Sequence, residues 1–319
     1  MKRIILSLSI VLAAVMNMQG SDRNPFVAFS INNIDYHIQQ SYGSYGTVWA
    51  SDTNEPYVTG TASIPGSVSY NGVLYIVTGL TYYWPLENGL TKLDIAIGVD
   101  SIDDIAFSQS SSLQEVNMPY IKWIGKSAFS FCSIKELNLS SVYLQYIGDC
   151  AFMWNKQMTK VTITAPQLKE LPDFVFASCE KLATITINTN ITKIGRQAFA
   201  FNKAIKTITL PSSLKSMGDE VFYDDTNLKE VKCLATTPPT CTTKTFDGLD
   251  KTKIKVIVPA GTAAKYKKAT GWKDLKISDG TEAVENVSVH GTTVKTIENG
   301  QVLIQQGDNI FNLMGGRMK

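Results

Sequence analysis

Seven phenylalanines recur along the chain at nearly constant intervals of 22, 23, 24, 23, 23 and 24 residues. They are Phe107, Phe129, Phe152, Phe176, Phe199, Phe222 and Phe246. Around each of the first six, apolar residues keep fixed places, one of them always five residues earlier in the chain. A single unit of this length cannot bury its apolar side chains alone and must stack on copies of itself. The sequence therefore predicts a solenoid of repeated coils in which each phenylalanine lies against the next.

Each unit reads apolar-x-x-apolar-x-apolar, then a turn, then a segment close to Ile-Gly-x-x-Ala-Phe. Residues 184–187, Thr-Ile-Thr-Ile, alternate with period two, which favours a short strand paired with the coils above and below. The stretch from Gly195 to Phe199 does not alternate, and we expect a helical or 3₁₀ turn there, opposite the sheet. The glycine lets the chain bend without a side-chain clash. Asp103 and Pro172 replace it in two copies, so those coils are expected to be irregular.

The clearest copies of the unit lie at 194–199, Ile-Gly-Arg-Gln-Ala-Phe, and at 205–211, Ile-Lys-Thr-Ile-Thr-Leu-Pro. They resemble the repeat of the BspA-like leucine-rich-repeat family of bacterial surface proteins, and the resemblance covers residues 76–250. It implies an α/β repeat solenoid, a right-handed leucine-rich-repeat coil with a parallel β-sheet on one face. It also implies attachment at a bacterial surface, including adhesion to host matrix proteins or to other cells.

The first residues of the chain have the pattern of a secretory signal. Lys2 and Arg3 precede the mostly apolar run 4–15, which is shorter than the roughly 20 residues that a membrane span needs. We therefore predict a signal peptide at 1–20 and an exported protein without a transmembrane segment. Removing Lys2 and Arg3 from the 30 basic residues leaves 28 against 28 acidic ones, a balance that gives no attraction for nucleic acid.

The segment before the repeats fits a β leader. Residues 21–75 contain Asn71-Gly72 beside alternating apolar residues, which is a strong signal for a hairpin turn. We predict that this N-terminal β leader, with its hairpin, covers the first coil, whose core would otherwise be exposed. The leucine-rich repeats then occupy 76–250, with Trp84 in a degenerate first copy.

The segment after the repeats fits a cap followed by a tail. Residues 251–279 are predicted to close the last coil, with Thr262 as the N-cap of a short helix and with Tyr266 and Trp272 as the covering rings. Residues 280–319 have short alternating stretches between glycines and are predicted to form a small C-terminal β-module. The end of this module resembles the start of C-terminal tails that act as sorting signals in some bacteria with this repeat family.

Side chains that could carry catalysis are scarce. The two histidines, His37 and His290, lie at opposite ends of the chain, and a Ser-His-Asp or Cys-His site would need one of them to meet a nucleophile. The sequence has no Cys-x-x-Cys and no phosphate-binding Gly-x-x-x-x-Gly-Lys, and residues 247–250 have too few oxygen ligands for a calcium loop. We therefore expect no enzyme activity, no metal and no cofactor.

Five cysteines in an exported chain invite disulfides, although their number is odd. Cys132 and Cys179 lie two coils apart, about 10 Å by the stacking distance, which exceeds the roughly 7 Å that a disulfide can span. They are expected to be small buried residues. Cys233 and Cys241 flank a short loop, and the sequence leaves open whether they pair.

Outward positions of the predicted strands form two polar ladders, which we treat as the candidate ligand-binding residues. One ladder is Glu115, Glu136, Lys160, Thr184, Thr207 and Glu230, and the other is Asn117, Asn138, Thr162, Thr186, Thr209 and Lys232. Solenoid sheets serve as extended binding surfaces, but Thr and Asn also simply tolerate strand positions. Exposed aromatic residues would favour binding. The sequence does not show whether seven aromatics near the coil edges are exposed, namely Tyr82, Tyr83, Trp123, Tyr143, Tyr146, Trp154 and Tyr223.

Three hypotheses of function follow. The first is an exported, non-enzymatic binding or adhesion protein, on the cell surface or secreted, that presents its repeat surface to a protein or glycan on a host or bacterial surface. The alternative is a structural envelope scaffold without a specific ligand, located in the periplasm or envelope. The third, an enzyme, is supported by no identified residues.

Overall fold

The computed structural model describes residues 28–42, 45–52, 57–81, 89–187 and 190–279, and three further strands between 293 and 312. The chain divides into two compact units, with the boundary between Asp279 and Gly280. The predicted signal peptide at 1–20, the degenerate copy at Trp84, and His290 lie outside the described residues.

Six strands precede the repeats. They are β1 (Phe29–Ile31), β2 (Ile34–Tyr42), β3 (Tyr45–Ser51), β4 (Gly60–Ile64), β5 (Ser67–Tyr70) and β6 (Val73–Leu80). β5 and β6 pair antiparallel around Asn71 and Gly72, whose φ angles of 50° and 76° are those of a two-residue hairpin turn. The hairpin that the Asn-Gly pair predicts is therefore present.

Each repeat coil contributes strands to two parallel ladders. The longer strands are β7 (Leu90–Ile95), β9 (Glu115–Asn117), β11 (Glu136–Leu139), β13 (Lys160–Ile163), β15 (Thr184–Ile187), β17 (Thr207–Leu210) and β19 (Glu230–Cys233). The two-residue strands are β8 (Ser101–Ile102), β10 (Trp123–Ile124), β12 (Tyr146–Ile147), β14 (Glu170–Leu171), β16 (Lys193–Ile194) and β18 (Ser216–Met217). In the leader, β4 pairs with β7 and β6 pairs with β8, so the leader begins both ladders. The pairing of the longer strands is interrupted between β9 and β11 and between β15 and β17. The predicted solenoid with a parallel sheet is confirmed, and the ladder of two-residue strands adds a second face.

The phenylalanines of the repeat stack along the core. Neighbouring ring centroids lie 5.2 Å apart at Phe107 and Phe129 and 6.0 Å apart at Phe199 and Phe222. The planes are within 23° of parallel throughout, and all seven side chains are fully buried. The stack predicted from the period is confirmed.

The segment that carries each phenylalanine is a series of turns and not a helix. Around Phe199, the φ angles of Gln197 and Phe201 are 50° and 65°, which lie in the left-handed region. The backbone N–H groups of these three residues all donate to carbonyls of the next coil, over 2.7–3.0 Å. A helix would use those N–H groups within the segment. The expected helical or 3₁₀ turn is therefore wrong, because hydrogen bonds between coils take the place of bonds within one coil.

Where a turn starts with glycine, at Gly125, Gly148, Gly195 and Gly218, the preceding coil approaches too closely for a side chain. A Cβ on Gly195 would lie 2.5 Å from the backbone nitrogen of Asp173 and 2.6 Å from the carbonyl carbon of Pro172. Its φ lies outside the left-handed region. A side chain here would push two coils apart, so the clash that glycine avoids is one between coils.

The ladder of two-residue strands is interrupted between β12 and β14. In other coils the N–H at the start of the turn donates to the preceding coil, as Gly195 does to the carbonyl of Leu171 over 2.8 Å. Pro172 has no N–H to donate, and the interruption falls at its coil. The irregularity expected at Pro172 is present. The one expected at Asp103 is not, because its N–H bonds the carbonyl of Leu80 over 2.8 Å and the ladder continues.

A column of buried side chains, most of them polar, lies three residues after the repeat phenylalanines. Its members are Ser110, Cys132, Asn155, Cys179, Asn202 and Asp225. Asn155 Nδ2 donates to the carbonyls of Phe129 and Phe152, over 2.8 and 2.9 Å. The thiol of Cys132 donates to the carbonyl of Phe107 over 3.1 Å. We call this set the polar column; it gives hydrogen-bond partners to carbonyls that face the core.

Four short elements follow the last repeat. They are a 3₁₀ turn at Lys251–Lys253, β20 (Lys255–Ile257), the helix α1 (Ala263–Tyr266) and β21 (Lys276–Ser278). β20 pairs with β19 and β21 pairs with β20, so the ladder of longer strands gains two rungs. The buried ring of Trp272 meets Phe246 edge-on at 5.3 Å, and its Nε1 donates to the carbonyl of Pro239. The predicted contact of Trp272 with the last coil is therefore present.

The side chain that accepts the hydrogen bonds at the N-terminus of α1 belongs to a residue other than Thr262. The hydroxyl of Thr262 donates to the carbonyl of Pro259 over 2.6 Å and makes no bond to the helix. Oδ2 of Asp279 instead accepts from the backbone N–H groups of Gly261 and Ala263, over 3.0 and 3.2 Å. Thr262 holds the predicted N-cap position, but its side chain does not cap the helix, because a carboxylate from a distant part of the chain accepts the N–H bonds there.

The second unit contains three antiparallel strands. They are β22 (Thr293–Glu298), β23 (Gln301–Gln306) and β24 (Asn309–Asn312), with β23 in the middle. The role of residues 280–319 as a sorting signal stays a prediction.

Candidate binding surfaces

The twelve candidate ligand-binding residues lie on the outer face of the longer strands, in two columns. We call them the polar strip: Glu115, Asn117, Glu136, Asn138, Lys160, Thr162, Thr184, Thr186, Thr207, Thr209, Glu230 and Lys232. Thr162, Thr186 and Glu230 are half-buried and the other nine are exposed. Intervening side chains such as Val161 point into the core. The alternation in the sequence thus identified the outward positions.

A groove of about 500 Å³ lies at the N-terminal end of the polar strip. The residues that line it include Lys92, Asp94, Glu115, Asn117 and Glu136. Lys92 Nζ and Asp94 Oδ2 form an ion pair of 3.1 Å within the groove. Charges of both signs and an amide therefore lie together in a concave site, which suits a polar ligand that both donates and accepts hydrogen bonds.

Large apolar side chains are exposed on a different face, formed by β10, β12 and the corners that precede the two-residue strands. We call this set the aromatic face: Ile97, Tyr120, Trp123, Val142, Tyr143 and Tyr146. Trp123 is 48% exposed, and its ring stacks on that of Tyr146 with centroids 3.8 Å apart. Sequence reasoning missed Ile97, Tyr120 and Val142. The repeat period could have found Tyr120 and Tyr143, because each lies four residues before the isoleucine of its two-residue strand.

The other aromatic candidates are packed on the turn side of the coils. The half-buried ring of Trp154 stacks on Phe131 at 5.3 Å, and Lys156 Nζ lies 4.5 Å from the Trp154 ring centroid. The half-buried Tyr223 packs against Phe201 at 5.5 Å. These rings contribute to the packing between coils. Tyr82 and Tyr83 lie outside the described residues.

The leader strands bring one histidine to a serine, a contact that the sequence analysis does not anticipate. His37 Nε2 and Ser51 Oγ lie 2.6 Å apart. His37 is 2% exposed and Ser51 is fully buried. A substrate could not reach this pair without opening the leader sheet, so we interpret the contact as a structural hydrogen bond.

All five cysteines are free and buried thiols. Cys233 and Cys241, whose pairing the sequence leaves open, are not bridged, and Cys233 Sγ accepts from the hydroxyl of Tyr266 over 3.2 Å. Burial raises the pKa of Cys150 and of Cys241 to about 12, so both thiols stay protonated at neutral pH. Among the residues that the structure describes, no three His, Cys, Asp or Glu side chains are grouped closely enough to hold a metal ion.

Comparison with known families identifies the repeat. Residues 82–167 and 145–259 match the BspA type leucine-rich repeat region, in six copies. The match covers more than half of the chain, which therefore belongs to the BspA-type leucine-rich-repeat family. Among curated proteins, none matches the chain.

Solved structures of leucine-rich-repeat proteins are similar to this chain. One from Bacteroides ovatus is 22% identical with a TM-score of 0.40, over 72% of this chain and 71% of that chain. A leucine-rich cell surface protein from Faecalibacterium prausnitzii is 16% identical with a TM-score of 0.43, over 74% and 71%. The pneumococcal vaccine antigen PcpA is 15% identical with a TM-score of 0.36, over 78% and 97%.

Membership of this family fits a binding or scaffold role. Over the described part of the chain, we find no helix with the length and apolar character that crossing a membrane requires.

Proposed function

We propose that the protein is exported and acts on the cell surface, or after secretion, as a non-enzymatic binding or adhesion protein. In this proposal the polar strip contacts a protein or glycan on a host or bacterial surface. The observation that carries it is the groove in the strip, where Lys92, Asp94, Glu115 and Asn117 converge on one concave site. Ligand sites are typically concave with a few convergent polar groups.

The packing beneath the strip supports this proposal, because it fixes the spacing of the contact groups. Glu136, Lys160 and Thr184 are direct neighbours in paired strands. The stacked phenylalanines and the hydrogen bonds between coils hold those strands in register. A rigid surface loses little conformational entropy on binding, so its polar contacts contribute more to affinity.

The test is a binding screen of the purified chain against matrix proteins and glycans, followed by substitution of the strip. The triple variant Asn117→Lys, Asn138→Lys and Thr162→Lys, which extends from the groove along the strip, is expected to lose binding to whichever partner the screen identifies. The control variant is Ser212→Lys, Thr226→Lys and Thr236→Lys, at exposed positions outside the strip, and it is expected to retain binding. Full binding by the strip variant would move the contact to another face.

The alternative, a structural envelope scaffold, is favoured by the composition of the strip. All twelve residues are polar, whereas the residues that dominate binding energy are most often Trp, Tyr and Arg. Protease treatment of intact cells separates the two functions. A surface protein is cut by the added protease, and a periplasmic scaffold is spared.

A further inference from the structure

We propose that the aromatic face is a second binding site, separate from the polar strip, and that it takes a neutral oligosaccharide or a stretch of neutral polysaccharide. Its six side chains come from three successive coils. Ile97 is 68% exposed, Val142 54% and Tyr143 45%, so the face exposes several large apolar side chains to water.

The fold itself does not require apolar side chains at these positions. In the next coil Glu170 takes the place of Tyr146 in the two-residue strand, and Gln167 takes the place of Tyr143 at the corner. Lys193 follows at the strand position one coil later. The coils thus form equally well with polar residues there. Burial of the aromatic face by a ligand accounts for a cluster that folding alone leaves unexplained.

The small size of the aromatic face favours a narrow partner. A stable protein interface involves about 20–30 residues on each side. The face offers six, which by themselves are too few for such an interface. A peptide strand cannot be added to β10, because β10 is already paired with β8 on one side and with β12 on the other. The unpaired side of β12 lies beside β14 of the next coil, which leaves no open edge there. The partner is therefore narrow and is recognised through side chains.

The chemistry of the face fits a sugar chain. A sugar ring presents C–H groups on its faces, which pack against aromatic rings, and hydroxyl groups on its edge, which need hydrogen-bond partners. Trp123 pairs with Ser101 on the side away from Tyr146, so the neighbouring side chain on that side is a small one. Beside it is a cleft of about 210 Å³ whose lining includes Asp100, Tyr120, Lys122 and Tyr143.

The charges in the cleft favour a neutral ligand. Lys122 Nζ and Asp100 Oδ2 lie 2.9 Å apart, so each charge is balanced by the other. An ionic ligand would have to compete with this pair for either member. Hydroxyl groups can instead donate to the carboxylate and accept from the ammonium group while the pair stays intact.

Fluorescence and calorimetric titrations of the full chain test the proposal. The probes are cellohexaose, xylohexaose, laminarihexaose and maltohexaose, with a proline-rich peptide as the non-sugar probe. We expect at least one hexasaccharide to bind and Trp123→Ala to weaken that binding about tenfold or more. Tyr143→Ala is the second variant and is expected to weaken it as well. Tyr57→Ala removes an exposed tyrosine of the leader and is expected to leave affinity unchanged.

The proposal is overturned if no hexasaccharide binds, or if one binds and Trp123→Ala and Tyr143→Ala leave that binding intact. Binding of the peptide alone would also overturn it and would identify an aromatic groove for an extended peptide. The triple variant of the polar strip is titrated with the same sugars and is expected to bind them normally. A sugar lost only in that variant would place glycan binding on the strip and contradict a site at the aromatic face.

Discussion

Asp225 occupies a place in the polar column that asparagine holds in two earlier coils. Its side chain is fully buried, and burial raises the pKa of its carboxyl group well above the usual range. Oδ1 accepts from the backbone N–H of Asn202 over 2.6 Å, but Oδ2 has no hydrogen-bond partner. In Asn155 the equivalent position is an amide nitrogen that donates to two carbonyls. Asp225 is therefore a weak point compared with Asn155 and Asn202, whose side chains donate to two carbonyls each.

Replacement of Asp225 by asparagine is expected to stabilise the protein. The new N–H groups would reach the carbonyls that the repeat places beside this position, and a buried carboxyl group would be removed. We expect Asp225→Asn to raise the free energy of unfolding on the order of 1–3 kcal/mol at pH 7. Urea unfolding followed by circular dichroism measures the change, with Asp274→Asn as a control at an exposed carboxylate.

The gain should depend on pH, because Asp225 binds its proton more tightly in the folded state. Below the unfolded pKa, about 3.9, the carboxyl is protonated in both states and keeps its full contribution to stability. As the pH rises through the interval up to the raised folded pKa, the folded state holds more protons than the unfolded one, and stability falls. Asp225→Asn lacks this loss, so its advantage should be smallest near pH 4 and grow toward pH 7. An advantage that is constant over this range would contradict the raised pKa.

The role of a single residue can be predicted where its environment recurs from coil to coil. It cannot be predicted where that environment occurs at one place in the molecule. Cys132 and Cys179 share an offset from the phenylalanine, which indicates a common buried site, and the same offset holds Asn155 and Asn202. The cap of α1 has no such signal. Asp279 reaches the helix from 16 residues away in sequence, and only the tertiary fold brings it there.

The coil is held by two kinds of repeated contact, rings inside and hydrogen bonds at its surface. The period of the phenylalanines predicts the first, because equivalent residues in stacked coils must lie close together. The hydrogen bonds between coils determine the backbone conformation of the turn. Local sequence around Gly195 to Phe199 suggests a helical turn, but each of its alternate N–H groups bonds the next coil. A contact between coils overrides local preference, and reading one unit by itself could not show it.

The middle of the phenylalanine stack should be the most sensitive place to create a cavity. Phe176 lies 5.7 Å from the ring of Phe152 and 5.9 Å from that of Phe199, and it is fully buried. Phe176→Ala removes contacts with both neighbours, and we expect it to lower the free energy of unfolding by about 3–5 kcal/mol. Urea unfolding measures the loss. Phe176→Leu fills more of the space and should lose less, so equal losses in both variants would argue against a cavity as the cause.

At the scale of the whole molecule, the period alone predicts the architecture and the outward polar strip. It gives Tyr120 and Tyr143 a common place in the repeat, but it does not predict that the aromatic face is exposed, since that face depends on a second ladder of strands only two residues long. Such strands have too few residues to show alternation. The corner residues Tyr120 and Tyr143 likewise follow no strand pattern, and their exposure results from how the corner folds between the two ladders.

The apolar core of a solenoid would be exposed at both ends if nothing covered it, so the segments that cover the ends should control its solubility. Residues 251–279 add two rungs to the longer ladder and place Trp272 against Phe246. A chain that stops at Asp250 would expose the last ring of the stack and the edge of β19. We expect that truncation to aggregate or to melt well below the full chain, because terminal coils need a polar outer surface. A chain that stops at Asp279 loses only the second unit and should keep the melting transition of the repeats.

Size-exclusion chromatography and thermal unfolding of the two truncated chains distinguish a cap from a dispensable segment. If both stay monomeric and melt together, residues 251–279 do not protect the last coil, and the Trp272 contact contributes little. If both aggregate, residues 280–319 are needed for folding, and the proposed boundary at 279 is wrong. Trp272→Ala tests the contribution of this one contact to the cap. Its ring is fully buried against the last phenylalanine, so the variant should reproduce part of the loss caused by removing the cap.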